Sequence, residues 1–344
     1  MVISKHSARA MAAARFLASI LLTVLLVWPA ASHAQWLRES RALMGTEVSV
    51  ELWATDAVVG QRAIERVMAE VLRLDLMMNP WNPDSELSRV NRQAATAAVT
   101  TTPEIMEVLQ RALFYSRLSA GAFDISFASV GQYYDYREKR TPSDAQLARE
   151  RGNIDFRAIV VDPETSSIAF TKPGLQIDLG GIAKGYAVDR GIAILQEEGI
   201  EAAVIAAGGD SRILGDLGDR PRTVGIRHPR KEGEYVAMIP LENTAISTSG
   251  DYERFFVEDG VRFHHLLDPG TGLSVAGVQS ATVMAPKAID SDALSTTTFV
   301  LGVERGLALI NSLPGVDAII IDGQGKLHYS AELLLTTTSS STKQ

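Results

Sequence analysis

Asp292 and Thr296 stand four residues apart in the run Asp290-Ser291-Asp292-Ala293-Leu294-Ser295-Thr296-Thr297-Thr298. On a helix that spacing puts both on one face, where their oxygens can converge. A carboxylate and a hydroxyl are hard ligands, suited to Mg2+ rather than Zn2+. An aspartate near a helix start is equally a common N-cap. A second cluster, Asp178-Leu179-Gly180-Gly181-Ile182-Ala183-Lys184-Gly185-Tyr186, sets two glycines between a strand end and a helix start. Such glycines let the backbone approach a ligand, the first helical N–H groups point at it, and Lys184 could reach a phosphate. A tight turn with a solvated lysine reads the same way, and neither known phosphate-loop motif is present. His264 and His265 are adjacent, so in a strand they face opposite ways and one can serve a site as a lone base. Trp81, between Pro80 and Pro83, can stack on a flat ring or cover core. Ala206-Ala207-Gly208-Gly209-Asp210 follows an apolar strand and reads as a hairpin or bulge.

The elements that must position these residues follow from composition and periodicity. The chain has 344 residues, 46% hydrophobic and 22% charged, which excludes disorder for the bulk. It has no cysteine, so disulfides, thiolate metal sites and a cysteine nucleophile are excluded. The formal charge of −8, without a basic stretch, argues against nucleic acid as a partner. Residues 1–34 read as a secretory signal peptide: Lys5, Arg9 and Arg15, an apolar run Phe16–Ala30, then Ser32-His33-Ala34. Cleavage is expected after Ala34, with the mature chain in the periplasm or on the outer face of the inner membrane. Residues 35–335 are expected to form one unit, and 336–344 a disordered tail.

Alternation predicts a strand at 45–53, and Ile64, Val67, Met68, Val71 and Leu72 predict an amphipathic helix over 58–78. Short helices are expected from Ser85 and Ser143, and a longer one from Thr102 to Leu118. A helix after Gly181 carries Val188, Ile192 and Leu195 on one face and stops at Gly199. Strands dominate 202–285, helices are expected at 287–299 and 303–312, and a strand pair over 316–330. Strands in runs rather than in alternation with helices argue for an α+β fold, mostly antiparallel sheets with packed helices in one large compact unit.

Taken in order, the motifs carry more than any does singly. Met44-Gly45-Thr46, Ser85-Glu86-Leu87-Ser88-Arg89-Val90-Asn91, Gly121-Ala122-Phe123-Asp124, DLGGIAKGYAVD at 178–189, AAGGD at 206–210, SGDYER at 249–254, HHLLDPGTG at 264–272 and SDALSTTTFVLG at 291–302 together resemble the FAD:protein FMN transferase family, the ApbE-type flavin transferases. The resemblance spans residues 44 to 302. It implies FAD as substrate and Mg2+ as cofactor, with FMN attached through its phosphate to a threonine hydroxyl of a target protein and AMP released. It implies Mg2+ ligation by Asp292, Thr296 and the main-chain carbonyl of Gly181. It implies an FAD site lined by Met44, Trp81, Ala122, Phe123, Asp124, Asp178, Lys184, His265 and Leu266, with His265 as general base. The acceptor implied is an exported or membrane redox subunit carrying a Ser/Thr-Gly-Ala-Thr-like segment. The chain departs from the family at Ile125-Ser126, where Pro-Thr is frequent, and at Ser295 and Thr297, where alanines often flank the metal-binding threonine. An FAD pyrophosphatase giving FMN and AMP, and a non-enzymatic periplasmic flavin-binding protein, are the competing expectations.

Overall fold

The structure, a computed structural model, describes residues 34–216 and 222–334. The expected leader, apart from Ala34, and the expected tail at 336–344 lie outside the described residues. In chain order the elements open with strands β1 (Gln35–Leu43) and β2 (Thr46–Ala54), then helices α1 (Ala57–Met78) and α2 (Glu86–Gln93). Strand β3 (Val99–Thr100) and helices α3 (Pro103–Leu118), α4 (Ala128–Gly131) and α5 (Asp144–Glu150) follow. Next come β4 (Ile159–Asp162), β5 (Ser167–Phe170) and helix α6 (Ala183–Glu197). Strands β6 (Ala203–Ala207), β7 (Asp210–Leu214), β8 (Arg222–Arg227), β9 (Tyr235–Leu241), β10 (Ala245–Gly250), β11 (Phe255–Glu258), β12 (Val261–His264) and β13 (Val278–Ala285) make up the strand-rich middle. Helix α7 (Ala288–Ile310) and strands β14 (Asp317–Asp322) and β15 (Leu327–Tyr329) close the fold.

Eight strands form the main sheet in the order β1-β2-β6-β7-β10-β13-β14-β15, and every neighbouring pair is antiparallel. The α+β expectation holds. Helix α6 packs on both α1 and α7, all three pack on the sheet, and the largest apolar core fills the space between. The α1 face expected from periodicity is buried at Ile64, Val67, Met68 and Val71, but Leu72 is exposed, one step around the helix from that stripe. Capping fixes the starts: Ser85, Thr102 and Ser143 side chains each accept a backbone N–H of the following turn. Strand β1 is absent from the expected elements. It is an edge strand whose residues stay mostly accessible, so it lacks the buried alternation that marks β2.

Helix α7 contains the break expected between two helices. Gly302 adopts φ +77° and ψ −177°, a conformation open to glycine, and it separates the half bearing Asp292 and Thr296 from the half that ends at Ile310. By length and composition α7 is apolar enough to cross a membrane, yet it is a core helix packed on α6, β10 and β13.

The tightest helix contact lies at Gly185. A Cβ there would sit 2.2 Å from the Ala288 carbonyl oxygen and 2.8 Å from the Asp292 Cβ. Only a hydrogen at this position lets α6 and α7 meet backbone to backbone. Gly185→Ala is expected to destabilise the protein by roughly 3 kcal/mol, despite alanine's better helix propensity, because a backbone carbonyl cannot rotate aside. Urea unfolding measures this; a loss below about 1 kcal/mol would show that the helices part freely.

Candidate active site

The register places several turns at one end of the main sheet. The β1–β2 turn, the β6–β7 turn, the end of β10 and the start of β13 lie together there, because Val48 pairs with Ala207, Ser247 with Asp210 and Gly250 with Ser280. Around this end opens a cavity of about 620 Å³. All twelve residues singled out from the sequence line it: Met44, Trp81, Ala122, Phe123, Asp124, Asp178, Gly181, Lys184, His265, Leu266, Asp292 and Thr296.

Each is placed by local chemistry. Met44 and Gly45 have φ of +52° and +70°, a two-residue hairpin turn, and the Met44 N–H is held by Asp75 Oδ2 at 2.8 Å. Trp81 is 67% exposed on the rim and so is not a core residue. Asp178 Oδ1 accepts the Gly180 N–H at 2.6 Å, which folds the glycine turn back on itself. Asp124 is buried, and both carboxylate oxygens are engaged. One takes the Ser126 N–H at 2.9 Å and the Ser126 hydroxyl, the other the Phe156 N–H at 2.9 Å. Its carboxylate therefore builds the wall at Ala122 and Phe123.

The deepest part of the cavity is ionic. Asp292 is 2% exposed, and its Oδ2 accepts the Gly185 N–H at 2.9 Å. Lys184 Nζ donates to the Gly180 carbonyl at 2.9 Å and lies 3.1 Å from Asp210 Oδ2 and 3.6 Å from Asp292 Oδ2. Burial, and then the Asp210 charge, push the Asp292 carboxyl above its ordinary range, against the pull of Lys184. Burial alone would lower the Lys184 ammonium, but the two carboxylates outweigh it and hold it charged. Asp210 was expected only as part of a hairpin. The turn is a hairpin, and the first strand residue after it turns its carboxylate into the cavity. Asp210 pairs across the turn with the buried Ala207 and so shares its face, and that hairpin pairing is the signal that points there. Arg254 is the other residue missed. It lines the cavity and has no carboxylate partner among the described residues.

The two histidines divide at the end of β12, His264 being its last residue and His265 the first of the bend beyond it. His264 is buried, its Nε2 2.8 Å from the Val275 carbonyl and its Nδ1 accepting the Leu266 N–H. His265 lines the cavity, and its Nδ1 is buried without a hydrogen-bond partner. Burial, then the neighbouring Arg254, drop the His265 imidazole to about 3.

Among the described residues no three His, Cys, Asp or Glu side chains converge as metal ligands. A hard cation could still be held here by a mixed oxygen set. Thr296 Oγ1 and Asp292 share one helix face, and a Cβ on Gly181 would lie 3.3 Å from Thr296 Oγ1, so the Gly181 backbone abuts that hydroxyl. Carboxylate, hydroxyl and backbone oxygens with few protein ligands are a donor set that fits Mg2+.

The model of the ApbE family matches residues 44–320 of this chain. The chain belongs to the ApbE family. Among curated relatives, the FAD:protein FMN transferase of Treponema pallidum (strain Nichols) is 33% identical over 292 residues, covering 79% of this chain and 80% of that protein. The FAD:protein FMN transferase of Vibrio cholerae serotype O1 is 30% identical over 324 residues, covering 90% of this chain and 96% of that protein. The crystal structure of the ApbE protein of Thermotoga maritima superposes with a TM-score of 0.81 at 30% identity, over 88% of this chain and 99% of that one. The flavin transferase ApbE of Vibrio cholerae gives a TM-score of 0.77 at 27% identity, over 88% of this chain and 99% of that one. The ApbE architecture is thus shared along almost the whole described chain.

His265 supplies a test of the site's electrostatics. Its folded-state affinity for protons is depressed, so it stays neutral well below the ordinary value of about 6.5. The unfolded chain binds this proton first, and the residue withdraws stability as pH falls from about 6.5 towards 3. Ring-nitrogen chemical shifts of His265 are expected to remain those of neutral imidazole from pH 8 to pH 5. A titration midpoint near 6.5 would show that the ring is solvated.

Proposed function

We propose that this protein transfers the FMN half of FAD to a threonine hydroxyl of another protein and releases AMP, with Mg2+ held by Asp292, Thr296 and the Gly181 carbonyl. The observation that carries this reading is the meeting, in one cavity, of a hard-oxygen cluster, two cationic side chains and an uncharged imidazole. It is made on a chain whose family relatives bear the name FAD:protein FMN transferase. A cavity of about 620 Å³ is of the size that cofactors occupy.

Each residue then has a task. The FAD pyrophosphate is anionic, and Arg254, which forms no ion pair within 4 Å among the described residues, together with Lys184 offsets that charge. The glycine turn at 180–181 lets backbone approach the phosphates without steric cost. Trp81, exposed on the rim, offers a flat face to a ring system. In the reaction the acceptor hydroxyl oxygen forms a bond to the FMN phosphorus as the bond from that phosphorus to the AMP phosphate oxygen breaks. The hydroxyl proton passes to a ring nitrogen of His265, which is neutral and free to accept it. The bound pyrophosphate offsets Arg254 and Lys184, the cations that disfavour a charged imidazole, and so makes His265 a better base when substrate is present. When bound, Mg2+ would supply charge neutralisation on the pyrophosphate and the departing AMP. Leader-like residues 1–34 support an exported enzyme, periplasmic or on the outer face of the inner membrane, whose acceptor is an exported or membrane redox subunit.

The test is incubation with FAD, Mg2+ and an acceptor carrying a Ser/Thr-Gly-Ala-Thr-like segment, read by mass spectrometry as a gain of one FMN unit. Asp292→Asn keeps an acceptor for the Gly185 N–H but removes the charge. It is expected to reduce transfer at least about 100-fold, with the melting temperature little changed. Transfer at the wild-type rate would remove the metal assignment. Rapid FAD cleavage without acceptor, and no acceptor mass gain, would make the protein a pyrophosphatase. Stable FAD binding with neither outcome would make it a carrier.

A further inference from the structure

The hydroxyl groups on the first half of α7 mostly bond back to their own helix. Ser291 donates to the Ala288 carbonyl at 3.2 Å, Ser295 to the Asp292 carbonyl at 2.9 Å and Thr297 to the Ala293 carbonyl at 2.7 Å. Thr296 makes no such bond. Its Oγ1 lies 3.2 Å from Ser249 Oγ at the end of β10, and Ser249 Oγ lies 2.9 Å from Ser295 Oγ. Ser249 and Ser295 are both buried.

A hydroxyl has one proton to give, and a carbonyl can only accept. The Ser295 proton is committed to the Asp292 carbonyl. The bond between Ser249 and Ser295 must then use the Ser249 proton, and the bond between Ser249 and Thr296 must use the Thr296 proton. The direction of the whole chain follows from its last link.

We propose that Ser249 is a positioning residue: the one-way chain Thr296 to Ser249 to Ser295 to the Asp292 carbonyl holds the Thr296 proton on the sheet side and leaves its oxygen as a pure acceptor toward the cavity, a ligand for a hard divalent cation. This rests on the metal reading given under the proposed function. Without Ser249 the Thr296 hydroxyl can rotate and turn its hydrogen toward the cation, or bond back to its helix as its neighbours do. The chain also ends on the carbonyl of Asp292, so the two side-chain ligands are fixed by one network. Burial makes such a network stiff.

Ser247 provides the control. Its Oγ lies 2.7 Å from Ser291 Oγ, so it bridges the same strand and helix, but its network does not reach Thr296. The experiment titrates Mn2+ into the FAD-loaded full chain, followed by electron paramagnetic resonance, for the wild type, Ser249→Ala, Ser247→Ala and Asp292→Asn. FAD affinity is measured separately by flavin fluorescence. Ser249→Ala is expected to weaken Mn2+ about tenfold, and Ser247→Ala by less than about twofold, with similar small losses in melting temperature and FAD affinity unchanged in both. Wild-type Mn2+ affinity in Ser249→Ala, or equal weakening in both serine variants, would overturn the proposal. Loss of Mn2+ binding in Asp292→Asn alone would leave the metal reading standing while refuting the proton chain. A wild type that takes up no Mn2+ would overturn both. Independently of how the variants fold, a crystal structure of the wild type with Mn2+ should keep Thr296 Oγ1 within hydrogen-bond distance of Ser249 Oγ. A threonine side chain swung away from Ser249 would also overturn it.

Discussion

The hydrogen bond from the Gly185 N–H to Asp292 Oδ2, at 2.9 Å, is the contact on which the site depends. It joins the start of α6 to α7 where the two backbones nearly touch, at a position that admits no Cβ. The glycine turn at 180–181 lies immediately before α6, and Thr296 lies one turn beyond Asp292. One contact therefore sets the distance between the backbone that approaches a ligand and the oxygens that would hold a cation. It also gives the buried Asp292 carboxylate a fixed donor, which with Lys184 opposes, without cancelling, the rise that burial and Asp210 impose.

The local placement of charge in the cavity bears on how an acidic chain could hold an anionic ligand. The chain carries a formal −8, yet charge in the cavity is arranged locally. Two buried carboxylates, Asp210 and Asp292, share the ammonium of Lys184, while Arg254 forms no ion pair within 4 Å among the described residues and acts on the Asp178 carboxylate only at longer range. In a low-dielectric cavity these few charges outweigh the average of the surface, which water and salt screen. Net charge argues against binding to a long polyanion, where many phosphates must be met at once, but it does not bear on a single pyrophosphate in a pocket.

Much of this was legible in the sequence because it depends on periodicity and end signals. The buried stripe of α1, the capping serines at Ser85 and Ser143, the hairpin strands of the middle region and the break at Gly302 all carry local marks. So does the pairing of Asp292 with Thr296 by helical spacing. What was not legible is set by partners distant in the chain. Strand β1 shows weak alternation because an edge strand buries little, and Leu72 falls one helical step outside the packed stripe. Asp210 looks like a turn residue until β10 and α7 are brought beside it. Arg254 closes the SGDYER motif, but nothing in that run marks it as a site residue, and its place comes from the cavity it lines. The contrast between Asp124 and Asp178 is of the same kind. Both are acids beside glycines or turns, but only the structure shows that the Asp124 oxygens are consumed by Ser126 and Phe156.

Helix α7 shows why these distant contacts matter for chemistry. By hydropathy it could pass for a membrane span, and its packing on α6, β10 and β13 makes it a core helix. Its first half nonetheless carries a buried row of hydroxyls that meets the serines of β10, a poor choice for stability alone. Hydroxyls in a core contribute little net energy when satisfied and cost more when they are not. Apolar residues would bind the helix to the sheet just as well, but they would leave its rotation and the direction of each hydroxyl undetermined. The polar seam pairs Ser247 with Ser291 and Ser249 with Ser295 and Thr296, while the buried Thr298 hydroxyl has no partner among the described residues, and this register aims Asp292 and Thr296 into the cavity. The orientation of the site is thus specified by the interface behind it, and the chain accepts a weaker core there to obtain it.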